Sequence, residues 1–306
     1  MSIPRSGAPL DISRLSKFDI WRLAIRPPTL MAAVAPVVVG TAVAARDGVL
    51  AWLPAGAAMV GGLALQVAAN LANDVSDFRH GADTEHRIGP PRVTQLGLLT
   101  EREVVAGLWV AIGVATLAGL YLTAVAGWPV VAIGLSSIGA LLAYTGGPWP
   151  FGYRGLGEVF VFAFFGVAAV VGTYYVQALR VSGAALGASI PVGLTTSAIL
   201  VVNNVRDIHT DRVAGKRTLA VILGPRLARW HFVLTLVAAY LAAAALWLLG
   251  EFSAWTLLAF LSLPLAWAPT AAVLAQREGP ALNTALRATA RLHLVFGLLL
   301  AVGVAR

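Results

Sequence analysis

The sequence predicts an all-α membrane protein: nine transmembrane helices, built as two four-helix halves plus one. Three observations predict it. Hydrophobic residues make up 58% of the chain and charged ones 12%, against about 25% charged in a soluble domain, and mean hydropathy is +0.81. A chain of 306 residues folded in water would show ordinary charge over its surface, so most of this one faces lipid. The apolar residues also fall into nine runs, each near the roughly 20 residues that cross a bilayer. Finally, lysine and arginine are divided very unequally among the connections between those runs.

In chain order the expected spans are 29–46, 51–72, 104–123, 129–145, 157–178, 184–204, 228–249, 253–275 and 286–305. The first is short and carries Pro36. The last opens on Arg287 and Arg291. Residues 1–25 form a basic N-terminal segment without the short apolar core and small-residue cleavage site of a signal peptide. Within it Leu15, Phe18, Ile20, Trp21 and Leu23 sit among basic neighbours, as in a helix lying on a membrane surface. No linker divides 26–306, which reads as one transmembrane domain. When loops are assigned alternately to two sides, only Arg46, Arg180 and Arg306 fall opposite the N-terminus. All other lysines and arginines fall on its side, which predicts a multi-pass protein of the plasma or inner membrane, with the N-terminus cytoplasmic and the C-terminus outside. The formal net charge of +8 is mostly this topology signal, and no soluble basic domain exists to bind nucleic acid. The chain has no cysteine, which excludes disulfides and thiolate metal sites.

Two polar helix ends stand out. The second span runs into NLANDVSDFRHGADTEHRIGPPR at 70–92, and the sixth into VVNNVRDIHTD at 201–211. Both run towards the cytoplasm, four spans apart. Asn70, Asn73, Asp74 and Asp77 follow helical spacing and form one stripe, as do Asn203, Asp207 and Asp211. Carboxylates at a helix C-terminus oppose the macrodipole, at a cost of roughly 0.3–1 kcal/mol each. Something positive has to offset that. The candidates are the nearby bases Arg79, Arg87, Arg92, Arg206, Arg212, Lys216 and Arg217, or a divalent cation. All-oxygen ligands suit Mg²⁺ or Ca²⁺ rather than zinc. Two facing carboxylate stripes with Arg and Lys alongside are the parts needed to hold a diphosphate through Mg²⁺. Glu85, His86, Glu101, Arg102 and Glu103 read instead as solvated loop.

On these residues the chain resembles the UbiA superfamily of intramembrane prenyltransferases. That superfamily has nine spans and two Asp-rich motifs, NDxxDxxxD and DxxxD. Asn73, Asp74 and Asp77 match the first, but Gly81 stands where its last Asp belongs and the next carboxylate is Asp83; Asp207 and Asp211 match the second. The strings YTGGPWPFGYRGLGEVFVFAFFG at 144–166, GTYYVQ at 172–177, NNVRDIHTDRVAGKRTLAVILG at 203–224 and RPPTLMAAVAPVVVGTA at 26–42 are similar to the branch acting on 1,4-dihydroxy-2-naphthoate. The resemblance implies an enzyme of menaquinone biosynthesis that uses Mg²⁺, a long polyprenyl diphosphate and that naphthoate, and releases diphosphate and CO₂. It implies metal ligands among Asn73, Asp74, Asp77, Asp83, Asn203, Asp207 and Asp211. Asn70, Arg26, Arg92, Arg206, Lys216 and Arg217 would contact substrate, chiefly the diphosphate. Arg154 or Lys216 would orient the acceptor carboxylate.

The chemistry is ionisation of an allylic diphosphate followed by attack of an electron-rich ring, so the cation needs a dry pocket with π faces. Tyr144, ending the fourth span, is the candidate guard. Trp149 and Tyr153 either shape the acceptor entry or, the favoured reading, gather at the membrane interface as aromatics do. Glu158 is either a proton acceptor or a dipole-complementing carboxylate at a helix start. His209 reads as loop-facing, and His231 and His293 as packed core. The alternatives are a relative with another aromatic acceptor or a cation-coupled transporter, whose charges would sit near mid-membrane. The middles of all nine runs lack Asp, Glu, Lys and Arg, which counts against transport.

Overall fold

The computed structural model describes residues 15–79, 89, 92–275 and 279–306. Among them lie ten helices and no strand. A short α1 (Lys17–Ile25) precedes nine apolar helices: α2 (Pro27–Arg46), α3 (Trp52–Arg79), α4 (Glu101–Ala126), α5 (Trp128–Thr145), α6 (Gly157–Ala178), α7 (Gly183–Val213), α8 (Leu219–Leu248), α9 (Ala254–Leu274) and α10 (Pro280–Val304). All nine are long and apolar enough to cross a bilayer, and the protein is a multi-pass membrane protein.

The two halves pack alike. α3 lies against α4, and its counterpart α7 lies against α8. α2 and α10 sit together, and both touch α7. The core here is small residues packed closely, such as Ala35, Val39, Val43, Ala185, Ala188 and Val192, all fully buried, as suits helices that associate by backbone approach in lipid. The large apolar side chains Trp109, Leu117, Leu135, Leu241 and Trp267 point outwards instead.

Three departures from the expected spans matter for function. α3 and α7 do not end where hydrophobicity ends. They continue as helix to Arg79 and Val213, so both polar motifs are carried on rigid helical turns. α8 starts early, at Leu219, capped by the Thr218 side chain. It bends at Gly224, whose φ of 78° suits glycine, with Pro225 following. α6 contains a π-helical stretch over Phe162–Ala168. There Gly166 meets α7 backbone to backbone, and an added Cβ would lie 2.6 Å from the Gly193 Cα. The π turn rotates the following residues, a device found frequently at functional sites.

α1 fixes how the chain enters the bundle. Ser16 and Asp19 form a capping box at its start. Trp21 fills the space that the missing side chain of Gly107 leaves on α4, and Lys17 pairs with Glu103 at 2.9 Å. Arg26 then adopts a left-handed conformation (φ 56°) at the junction of α1 and α2. A non-glycine residue held there signals that its surroundings over-determine it.

Candidate functional site

α3 and α7 do not pack extensively on each other. Between them is a cavity of about 500 Å³, lined at its polar end by Arg26, Asn73, Asp77, Asn203, Asp207 and Asp211. It runs on between apolar walls to Ala58, Leu122, Val130 and Val176, near the opposite ends of their helices. A buried cluster of Leu122, Ala126, Val130 and Val176 closes that end.

The first motif is knotted into several elements. Asp77 is buried and accepts a hydrogen bond from the Tyr153 hydroxyl at 2.5 Å and one from Lys216 Nζ at 3.1 Å. Arg92, also buried, pairs with its other oxygen. Lys216 lies over the Tyr153 ring as well, 4.5 Å from its centroid. Tyr153, expected as an interfacial aromatic, is therefore part of the polar site. Its position in sequence carried no hint of Asp77, because the 3₁₀ turn Phe151–Tyr153 folds back over α3. Asn73 accepts from Thr145 Oγ1 at 2.9 Å, and Ser76 donates to the Thr145 carbonyl at 2.7 Å, which ties the ends of α3 and α5 together.

Asp74 is 1% exposed and does not line the cavity. It accepts from the Thr94 N–H at 3.2 Å, and Arg26 Nη2 approaches it to 3.8 Å. Asn70 lines the cavity but spends its amide on the backbone: Nδ2 donates to the Ile25 carbonyl at 2.8 Å and to Thr29 Oγ1 at 2.7 Å. These bonds flank Arg26 on both sides and hold its unusual backbone.

The second motif is assembled mainly by its own helix. Buried Arg206 donates to Asp207 through Nε at 2.8 Å and Nη2 at 2.5 Å, to Asn203 at 2.9 Å, and to Asn283 of α10 at 2.9 Å. The Asp211 side chain accepts no hydrogen bond among the described residues, although its backbone carbonyl takes the Lys216 N–H at 2.8 Å.

Aromatic rings form the wall just below the acidic end. Tyr144 meets Phe151 edge-on at 5.4 Å, Phe151 stacks on Phe160 at 3.8 Å, and Phe160 lies 6.2 Å from Phe164. All four line the cavity. Gly152 permits the arrangement, since a Cβ there would come within 2.6 Å of the Tyr144 carbonyl oxygen. Phe151, Phe160 and Phe164 did not stand out in sequence. The only signal for Phe160 and Phe164 was the density of Phe in FVFAFF at 160–165, which also suits a lipid face, and Phe151 had none.

Other expected residues lie elsewhere. Arg154 is exposed and sits over the Trp149 ring at 5.0 Å; Arg217 is exposed; neither lines the cavity. Trp149 is exposed at the surface. His209 is exposed, and His293 is fully buried against Thr195 at 2.8 Å. Glu158 is buried and accepts from Asn204. Asp83, with Glu85, His86 and Arg87, lies outside the described residues.

The donor set suits a hard cation: carboxylate and amide oxygens from α3 and α7, without thiolate or imidazole. No group of three or more His, Cys, Asp or Glu converges tightly enough among the described residues to enclose an ion alone. Mg²⁺ is usually held by one or two carboxylates plus substrate phosphates.

The UbiA prenyltransferase family profile matches residues 33–297. The chain is 39% identical over 287 residues to the 1,4-dihydroxy-2-naphthoate octaprenyltransferase of Mycobacterium leprae, covering 94% of this chain and 96% of that protein. It is 35% identical over 297 residues to the enzyme of the same name from Escherichia coli, covering 95% and 96%. Among solved structures, the fold is similar to an apo UbiA homologue from Aeropyrum pernix K1, with TM-score 0.68 at 15% identity over 88% of this chain and 97% of that one. It is also similar to a UbiA homologue from Archaeoglobus fulgidus bound to GPP and Mg²⁺, with TM-score 0.63 at 14% identity over 92% and 99%.

Proposed function

This chain belongs to the UbiA prenyltransferase family, and from that premise we propose that it transfers a polyprenyl group from polyprenyl diphosphate to 1,4-dihydroxy-2-naphthoate. The products are demethylmenaquinol, diphosphate and CO₂, a step in menaquinone biosynthesis. The relatives bearing that activity in their names support the acceptor. The observation that carries the chemistry is the layering of one cavity: acidic and basic groups at its mouth, aromatic rings below them, and an apolar channel beneath.

Each layer has a task. Lys216, Arg92 and Arg26 draw the diphosphate to the mouth and hold its outer oxygens. Asn73, Asp77, Asn203, Asp207 and Asp211, with Asp83 from beyond the described residues, are the proposed holders of Mg²⁺; Asp74 joins them only if it turns from Thr94. When bound, Mg²⁺ neutralises charge on the departing diphosphate. The C–O bond breaks with its electron pair leaving on the diphosphate. The Tyr144, Phe151 and Phe160 rings face the allylic cation and exclude water that would quench it. The naphthoate ring attacks at the carbon bearing the carboxylate, and loss of CO₂ restores aromaticity. The apolar channel takes the prenyl tail. The lysine and arginine asymmetry supports a cytoplasmic mouth and a cytoplasmic N-terminus.

Purified protein incubated with Mg²⁺, radiolabelled polyprenyl diphosphate and either 1,4-dihydroxy-2-naphthoate or 4-hydroxybenzoate tests the reading. Prenylated naphthol is expected from the first acceptor only; product from 4-hydroxybenzoate alone would reassign the acceptor. Because the chain lacks cysteine, single cysteines introduced at Asp47 and Arg212 report sidedness directly. Only the second should react with a membrane-impermeant thiol reagent from the cytoplasmic face.

A further inference from the structure

Glu158 is a carboxylate at the start of a membrane-crossing helix, 7% exposed, and outside the set that lines the cavity. One oxygen, Oε1, accepts from Asn204 Nδ2 at 2.9 Å. The other, Oε2, is enclosed and has no hydrogen-bond partner among the described residues. Ser197 Oγ reaches the Glu158 carbonyl at 3.3 Å and pins this turn to α7.

What lies in front of the carboxylate gives it meaning. Asn204 and Tyr144 both line the cavity. At the neighbouring Gly157, a Cβ would stand 3.1 Å from the Tyr144 hydroxyl, so the first turn of α6 passes close against that side chain. The residue before Glu158 thus lies against the Tyr144 hydroxyl, and Tyr144 heads the aromatic row of Phe151 and Phe160. A helix-start carboxylate that served only the dipole would do as well in contact with solvent. This one is enclosed at a cost in desolvation, with half its acceptor capacity unused.

On the functional reading above, we propose that Glu158 is a positioning residue that supplies a fixed negative charge behind Tyr144 and Asn204, opposite the side where the allylic cation forms. The charge enriches the Tyr144 ring face and orients the Asn204 amide with its oxygen end free for the cavity. The electron pair of the breaking C–O bond leaves on the diphosphate, and the positive charge left on the allyl fragment sits in the field of a carboxylate that does not need to reorganise. In a cavity screened from water such a charge acts over longer distances than it would in solvent.

Glu158→Gln keeps shape and one acceptor oxygen but removes the charge. With polyprenyl diphosphate, Mg²⁺ and 1,4-dihydroxy-2-naphthoate, kcat should fall about tenfold or more while both KM values stay within about twofold. Glu158→Asp should fall between wild type and the Gln variant. Scrambling of ¹⁸O between bridging and non-bridging positions of recovered prenyl diphosphate, measured without acceptor, reads ionisation alone and should slow in step with kcat. A Gln variant with wild-type kcat and scrambling overturns the inference, as does one whose only change is a raised acceptor KM. Should the Gln variant fail to fold, Glu158→Leu, which removes the charge without burying a polar group, carries the test, and wild-type kcat and scrambling there overturn the inference. Wild-type protein that neither scrambles nor prenylates the naphthoate would instead sink the functional reading itself.

Discussion

The two acidic helix ends look like repeats in the sequence, yet the structure wires them differently. Asp77 of α3 is buried and held by Tyr153, Lys216 and Arg92, groups from three connecting segments. On α7, Asp207 is held by the preceding residue, Arg206, and Asp211 keeps its carboxylate free of hydrogen bonds among the described residues. The first end is a clamp that gathers loops over the cavity. The second is an open carboxylate on a pre-set scaffold. Equal spacing in sequence thus gives equal helical stripes, while burial and the surrounding cations decide what each stripe does.

That contrast can be broken experimentally. The largest effect is expected at Asp77→Ala, which removes the carboxylate shared by buried Arg92 and part-buried Lys216. Breaking a buried pair costs about 3–5 kcal/mol, so both thermal stability in detergent and prenyl transfer should collapse. Asp211→Ala should separate the two properties. Activity should drop about 100-fold or more with the melting temperature unchanged or slightly raised, because a like charge near Asp207 is removed. A large loss of stability at Asp211 would erase the distinction.

Metal removal sharpens it next. EDTA should abolish transfer and added Mg²⁺ restore it. Mg²⁺ with diphosphate should raise the melting temperature of wild type but not of the Asp211→Ala protein. A smaller effect is expected at Asn70→Ala, which frees the Ile25 carbonyl and the Arg26 backbone at about 1–3 kcal/mol. The KM for prenyl diphosphate should rise several-fold while the acceptor KM holds. Smallest is Tyr153→Phe. It removes one hydrogen bond from Asp77 and leaves Lys216 and Arg92 in place, at about 1 kcal/mol, with activity reduced a few-fold.

Much of this was legible in the sequence because lipid imposes simple rules. Spans follow from length and hydropathy, and the stripes follow from spacing of three and four. Asp207 and Asp211 reach the cavity with Asn73, Asp77 and Asn203 because α3 and α7 stay helical through their motifs. Adjacency in sequence does not convey direction. Asp74 neighbours Asn73, yet one step along a helix turns it about 100°, towards Thr94 and Arg26. Arg154 and Arg217 flank the right segments but end in solvent.

The sequence alone determined that this chain crosses a membrane on nine apolar helices, that two helix ends carry matched oxygen stripes, and that bases accompany them. Those are properties of composition and of a period fixed by backbone hydrogen bonding. Only the tertiary structure decided which bases meet which acids, since Asp77 and Lys216 are far apart in the chain and joined by the folding of loops. It also decided that Tyr153 belongs to the polar mouth, that Phe164 and Phe160 share the cavity wall, and that Glu158 is buried against Asn204. Contacts between distant segments depend on how helices pack and where a glycine lets two backbones touch, and no local period encodes that.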